Sequence, residues 1–333
     1  MLRLLNSLRI IILGWILHHA FGSSYNVYNY DLSTPVFTPD GLLKQVEYAS
    51  LSSSHSTPIV LLSSHCIKGC NQGTFLVIAT SKENASEKRN QEMMSKRSQN
   101  AATRSYTQQG QSRIIQIPIQ DMSDSSIVVG VSGILPDAVS LVQSGRDLIH
   151  SLQSAYGMKS MDPLSCAREV AECIADKCEQ HALGGGMRPY GAEVFVCAIK
   201  NTNDSVSSKW DVHDGIVYIT QPSGGLFVHR FRKSDGIANN VLVLGGDEKI
   251  KSDLRNNIEN DLKQLEEGPL NDSTSTSSMS MSANTPALKI AIQMVAKILE
   301  KHNFQRDSLD IVVVDSTKGT IRLTNDDIRK LLL

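Results

Sequence analysis

Arg113 to Gly133 reads RIIQIPIQDMSDSSIVVGVSG, two β-branched runs (113–119 and 126–133) either side of a polar turn. A second pair stands upstream, TPIVLLSS at 57–64 and GTFLVIAT at 73–80, so four strands come in succession. Helical spacing then takes over. Ala138, Leu141, Val142, Leu148, Ile149 and Leu152 fall on one stripe, started by Pro136 and stopped near Gly157. The next helix opens with Asp162 as N-cap and Pro163 at its first position, and ends in Gly184, Gly185 and Gly186. Four more strand-like runs follow: EVFVCAI, GIVYIT, LFVHRF and NVLVLGG. A charged helix from about Asp247 to Glu267 and another from Ala287 to Lys301 precede LDIVVVD, TIRLT and a short helix beginning near Thr324 or Asn325. Strands grouped in hairpins and helices grouped in pairs argue against a parallel βαβ fold. They predict a four-layer α/β/β/α sandwich of two antiparallel sheets. Residues 82–110 and 268–286 are polar, match no element and read as loop insertions.

The 333-residue chain is long enough for one large domain or two ordinary ones, and 41% hydrophobic residues supply ample core. Its 33 basic and 34 acidic residues nearly cancel and form no single-sign block, which excludes a phosphate-backbone partner such as nucleic acid. Cys66, Cys70, Cys166, Cys173, Cys178 and Cys197 show no paired C-x-x-C spacing and no companion histidines, so neither a metal site nor a cofactor is expected. Cys166 and Cys173 lie seven apart on one helical face, and buried free thiols fit a chain of this size in a reducing compartment. The sequons at Asn84, Asn203 and Asn271 are as many as chance supplies and carry no argument for glycosylation.

The first residues point to a different compartment. In MLRLLNSLRIIILGWILHHAFGSS, Arg3 and Arg9 precede the apolar run Ile10–Leu17, and the small residues Ala20 and Gly22 follow. This is the layout of a cleavable signal peptide over residues 1–22. The run is too short to span a bilayer, so no stable membrane insertion is expected.

Between that segment and the first strand lies YNYDLSTPVFTPDGLLKQVEYAS, Tyr28 to Ser50. Thr38-Pro39-Asp40-Gly41 is a turn, because proline presets φ and glycine accepts conformations a side chain forbids. It launches a helix in which Leu42, Val46 and Ala49 share a stripe. About eleven residues cannot hold a helix alone in water, so this one must lie on something.

The same residues resemble the N-terminal signature of proteasome α-type subunits. Tyr30, Asp31, Phe37, Pro39, Gly41, Leu43, Gln45, Glu47, Tyr48 and Ala49 match it without a gap. Further on, VVGVSGILPDA resembles that family's strand-to-helix segment, GGGMRPYGAEVFVCAI its Gly-x-Arg-Pro-x-Gly loop and strand, and VYITQPSG its Asp-Pro-Ser-Gly hairpin. The resemblance implies the N-terminal-nucleophile hydrolase fold and a non-catalytic subunit of the 20S core. It implies partnership with other proteasome α and β subunits in a seven-membered α ring, pore gating, and docking of a regulatory particle or activators in ubiquitin-dependent degradation. Residues 23–52 become a gate segment with a cleft-covering helix, and 53–333 the sandwich domain. Tyr30, Asp31, Pro39 and Tyr48 match the gate cluster that holds the N-terminal tail aside. Leu42 stands where Arg or Lys is usual, Pro35 interrupts the segment before the turn, and Gln221 replaces Asp. The 82–110 insertion falls where an activator-pocket lysine is expected, and Arg104 is nearest that slot; arginine keeps the charge but not the point-donor geometry.

Two rival readings accompany this one. An active N-terminal-threonine peptidase would use Gly73-Thr74 as its self-cleavage junction and needs an Asp and a Lys partner. Counting from Thr74, those positions fall on Asn90 and Tyr106, which cannot serve. His55 and His65 stand near Ser and Cys residues, but sequence proximity alone does not make a dyad. The other rival is a stand-alone scaffold that kept the fold and lost the ring. Family membership implies cytoplasm and nucleus. The N-terminal segment, with Phe21 after Ala20, resembles instead a bipartite signal leading to the remnant cytosol around a secondary plastid.

Overall fold

The computed structural model describes residues 36–67, 74–81, 112–119, 126–156, 162–184, 186, 188–199, 215–232, 236–267, 286–302, 304, 308–316 and 319–332. The strands are β1 (Ile59–Ser63), β2 (Phe75–Ser81), β3 (Ile114–Pro118), β4 (Ser126–Gly133), β5 (Ala192–Ile199), β6 (Gly215–Thr220), β7 (Leu226–Phe231), β8 (Val241–Leu244), β9 (Leu309–Asp315) and β10 (Gly319–Arg322). The helices are α1 (Lys44–Ser54), α2 (Leu135–Tyr156), α3 (Pro163–Ala182), α4 (Glu248–Glu267), α5 (Pro286–Lys301) and α6 (Asn325–Leu332). One five-stranded sheet has the order β10-β9-β2-β1-β8 and the other β3-β4-β5-β6-β7. Every pairing in both is antiparallel. These sheets and helices are compatible with an α/β sandwich.

The period of two along each strand sorts the core into three clusters. Ile59 and Leu61 of β1 join Ile78, Val128, Phe195 and Val312, a cluster drawn from both sheets. Val60 and Leu62, the alternate positions, join Leu254 and Ile258 of α4, Val295 and Leu299 of α5, and Ile328 of α6. In the second sheet Val129 and Val131 pack with Leu141 of α2 and Val170 and Ile174 of α3. The inner strands β1, β2 and β5 are therefore buried on both faces, which explains why their runs read as nearly continuous apolar stretches, whereas β7 at the sheet edge exposes Phe227 and Val228.

Helix ends follow local chemistry. Asp162 caps α3 by accepting from the Ser165 N–H at 3.2 Å, with Pro163 behind it. Thr324 caps α6 reciprocally: its Oγ1 accepts from the Asp327 N–H at 3.2 Å, and the Asp327 carboxylate accepts from the Thr324 N–H at 3.2 Å and hydroxyl at 2.7 Å. The α2 helix begins at Leu135, one residue before the expected Pro136, and places Asp137 in its first turn. Cys66, Cys166, Cys178 and Cys197 are buried free thiols, while Cys173 is half-buried. The expected signal segment at 1–22 and the insertion at 82–110 lie outside the described residues, as does 268–286 apart from Pro286, which opens α5.

Candidate functional site

The α1 helix reaches its seat through the Thr38–Leu42 turn. The Gly41 N–H donates to the Thr38 carbonyl at 2.8 Å, and the Leu42 N–H to Thr38 Oγ1 at 3.1 Å. Gly41 carries φ of +79°, the left-handed conformation that glycine enters without strain. Pro39 is exposed in this turn. Lys44 and Glu47 pair at 2.9 Å on the partly exposed first turn, a contact of small energy.

The sequence predicts Leu42, Val46 and Ala49 on an apolar stripe against the domain. The structure agrees only in part: Val46 and Ala49 are half-buried, but Leu42 precedes the helix and is exposed, and no residue of α1 is fully buried. Hydroxyls and backbone groups hold the helix instead. Ser50 Oγ donates to the Val46 carbonyl at 2.9 Å, Ser53 to Ser50 at 2.8 Å and Ser54 to Leu51 at 2.7 Å, back-bonds within the helix that weaken rather than support it. Anchoring comes from its last turn. Ser52 Oγ lies 2.5 Å from the Gly191 carbonyl at the start of β5. The Ser53 carbonyl accepts from the Gly246 N–H at 3.1 Å, just beyond β8, and from Ser132 Oγ of β4 at 3.2 Å. Ser56 Oγ also meets Ser132 Oγ. These contacts tie one short helix to strand ends of both sheets.

A polar layer lies at this end of the fold, buried at Arg113, Ser132 and Asp137 and half-exposed at Arg188. Arg113 is 2% exposed and its guanidinium donates to the Gly133 carbonyl at 3.2 Å. Gly133 has φ of +104°, and a Cβ there would stand 2.3 Å from the Gly191 carbonyl, so both the backbone conformation and the space require glycine. Arg188 grips Asp137 with two hydrogen bonds, at 2.6 and 2.7 Å, and the Gly191 N–H donates to the same carboxylate at 2.9 Å. Burial alone would raise the Asp137 pKa. The Arg188 hydrogen bond, the Gly191 N–H and the charges of Arg188 and His181 outweigh it and hold the carboxyl below its ordinary range. Glu193, paired in register with Ser132, is pushed the other way: desolvation raises it, and the Lys251 charge and a Gly245 backbone hydrogen bond only moderate the effect.

Of the gate residues read from the sequence, Pro39 and Tyr48 are brought onto the α1 unit, with Tyr48 49% exposed. Tyr30 and Asp31 lie outside the described residues, as do Arg104, Asn90 and Tyr106. Thr74 precedes β2, which begins at Phe75. Its N–H donates to Ser316 Oγ at 3.1 Å, and its carbonyl accepts from the Ser316 N–H at 2.9 Å. The β1–β2 register pairs Ile59 with Thr80 and Ser63 with Leu76, so Thr74 lies at the opposite end of the hairpin from α1. His55 follows α1 and His65 sits in the short turn after β1, with the whole strand between them. Among the described residues no cluster of three His, Cys, Asp or Glu side chains could hold a metal ion.

The Asp137–Arg188 pair is not singled out by the sequence, although the two motifs that contain it are. The available signal is an aspartate in a helix's first turn and an Arg-Pro-x-Gly loop before a strand, 51 positions apart.

Residues 30–49 match the family model of the proteasome A-type N-terminal signature. The chain is similar to the proteasome alpha subunit of Pyrococcus horikoshii, 25% identical over 91% of this chain and 86% of that protein. It is also similar to that of Pyrococcus abyssi, 24% identical over the same shares, and to the type-2 proteasome alpha subunit of Drosophila melanogaster, 25% identical over 60% and 64%. Together the signature and these long matches support a divergent alpha-type member of the proteasome.

Proposed function

We propose that the chain is a non-catalytic member of a proteasome α ring, with α1 as the cap of its sandwich and the segment before α1 as part of the pore gate. The observation that carries this reading is the placement of the signature helix: Ser52 and Ser53 tie it to Gly191 and Gly246, strand ends of different sheets. A catalytic relative of this fold needs that end of a four-layer sandwich open to substrate. A helix whose role is to close it has reason to be seated by its last turn while its apolar side chains Tyr48 and Leu51 face outward, 49% and 54% exposed. Neighbouring ring subunits, and activators above them, are the partners this implies, and degradation of ubiquitin-tagged protein is the process.

The peptidase alternative places its nucleophile at Thr74, far from α1, where the backbone N–H is bonded to Ser316. On the ring reading Thr74 is the residue that leads into β2, and its replacement by alanine leaves peptidase turnover of an assembled core unchanged. For location, we propose removal of residues 1–22 and delivery to a reducing compartment. A fluorescent fusion of residues 1–30, with sequencing of the mature N-terminus, tests this: a start at Phe21 or Ser23 supports it, and retained Met1 with diffuse cytosolic and nuclear signal refutes it.

The deciding experiment for function is native mass measurement of the chain isolated from its source. Co-migration with other subunits near core-particle size supports the ring reading. A monomer-sized species would instead support a stand-alone scaffold.

A further inference from the structure

We propose that Arg188 and Asp137 form a latch that positions α1, acting through the Gly191 peptide on the Ser52 hydroxyl. The proposal rests on the reading of α1 as a functional cap, but the latch itself is a property of the folded chain.

The connection is continuous. The Asp137 carboxylate, in the first turn of α2, holds both Arg188 and the Gly191 N–H. Arg188 Nη1 also donates to the Pro189 carbonyl at 3.0 Å, and the His181 ring, whose Nδ1 lies 3.2 Å from the Arg188 carbonyl, stacks at 4.2 Å on Tyr190. The loop from Arg188 to Gly191 is thereby fixed at both ends. Its last carbonyl, that of Gly191, accepts from the Ile134 N–H at 2.8 Å and from Ser52 Oγ at 2.5 Å.

Ser52 is the element with two states. Its Oγ is also 2.5 Å from the Ala49 carbonyl, inside its own helix. A hydroxyl has one proton to give, so at any moment it bonds either to α1 or to the Gly191 peptide. When Gly191 is correctly aimed, the proton crosses between elements and α1 is fastened. When Gly191 turns away, the hydroxyl retreats to Ala49 and α1 loses that anchor. Asp137 sets the aim by holding the N–H of the same residue. There is no slack in the contact, because a Cβ on Gly191 would stand 2.8 Å from Ser52 Oγ and 2.7 Å from Ile134 Cδ1.

The test is hydrogen exchange of α1 amides, read by mass spectrometry on the full chain. Arg188→Gln and Ser52→Ala should each speed α1 exchange by about tenfold, the scale of one hydrogen bond, with β4 and β5 unchanged. The Ser52 result is informative in sign, since alanine is the better helix former and would slow exchange if no latch existed. The two changes should not add: the double variant should exchange at the single-variant rate. Arg188→Lys, which keeps charge without the two-pronged geometry, should recover part of the protection. If Arg188→Gln disturbs the strands as well, the Arg188→Lys and Ser52→Ala pair decides by the same criterion. Additive effects, or α1 exchange indifferent to Arg188, would overturn the latch. Failure of the wild-type chain to join a ring would overturn the functional reading and leave the latch standing.

Discussion

The α1 and α5 helices each lie against the sheets, but different forces hold them. Over its sixteen residues α5 buries Leu288, Ile292, Val295, Ile298 and Leu299 at 3% exposure or less. Over its eleven, α1 has no fully buried side chain, with Val46 and Ala49 half-buried, and is held by serine hydroxyls and peptide groups. Each fully buried aliphatic side chain contributes roughly 1.5–3 kcal/mol, whereas a hydrogen bond exchanged against water nets about 0.5–1.5 kcal/mol. By these magnitudes α5 contributes far more to the stability of the chain than α1 does.

The sharpest way to break the comparison is to cut into both helix seats and see whether the whole molecule responds. Leu299→Ala in α5 should cost about 2–5 kcal/mol, visible as a lower denaturant midpoint for the entire chain. Gly133→Ala strikes the α1 side, where the left-handed backbone and the nearby Gly191 carbonyl leave no room for a methyl group. It should cost about 1–3 kcal/mol. Most of that loss should appear as faster α1 exchange, and an unchanged α1 would mean that the seat is more plastic than its geometry implies.

Acidity should separate the two helices next. Asp137 has a folded pKa below its unfolded value, so its stabilisation is present above the ordinary carboxylate range near pH 4 and is lost as pH falls through the lowered pKa. Glu193 has a raised folded pKa: stability is full below its unfolded value and declines as pH rises through the folded one. The Asp137 share of α1 protection should therefore fall in acid while any Glu193 share is retained there, so Glu193→Gln should raise protection at neutral pH and Asp137→Asn should lower it. Protection of α5 should follow neither variant. The smallest expected effect is that of Tyr48→Phe, within about 0.5 kcal/mol for stability at a half-exposed position. Its consequence should appear in activator-driven peptide passage through an assembled core, which should fall; unaltered passage would remove Tyr48 from the gate.

The strands and helices are legible in the sequence because their signals are local. The Asp162-Pro163 start and the continuous apolar Ile59–Leu62 run each carry the physics of one element, and the order of strands and paired helices follows from them. The seat of α1 is not legible in the same way. An apolar stripe predicts burial, yet at α1 the contacts come from the last turn's hydroxyls, a feature that reads in sequence as a poor helix former. The Asp137–Arg188 pair depends on how two distant segments meet, and neither half announces the other. At Thr74 the sequence alone speaks against a cleavage junction, because its partner positions fall on Asn90 and Tyr106, and strand register adds that it lies at the end of the β1–β2 hairpin away from α1.

The buried thiols give the fold a built-in clock. Desolvation, helped by the charges of Asp162 and Glu169, pushes Cys166 to about 11, and desolvation takes Cys178 to about 12 even against the charge of Lys177. A thiol reagent consumes thiolate, so these positions stay silent at neutral pH for as long as the core around α3 is closed. Cys166 and Cys178 bracket the half-buried Cys173 on that same helix. Alkylation at 173, a half-buried thiol that burial also raises, should therefore precede alkylation at 166 and 178, whose reaction needs α3 to leave the sheet.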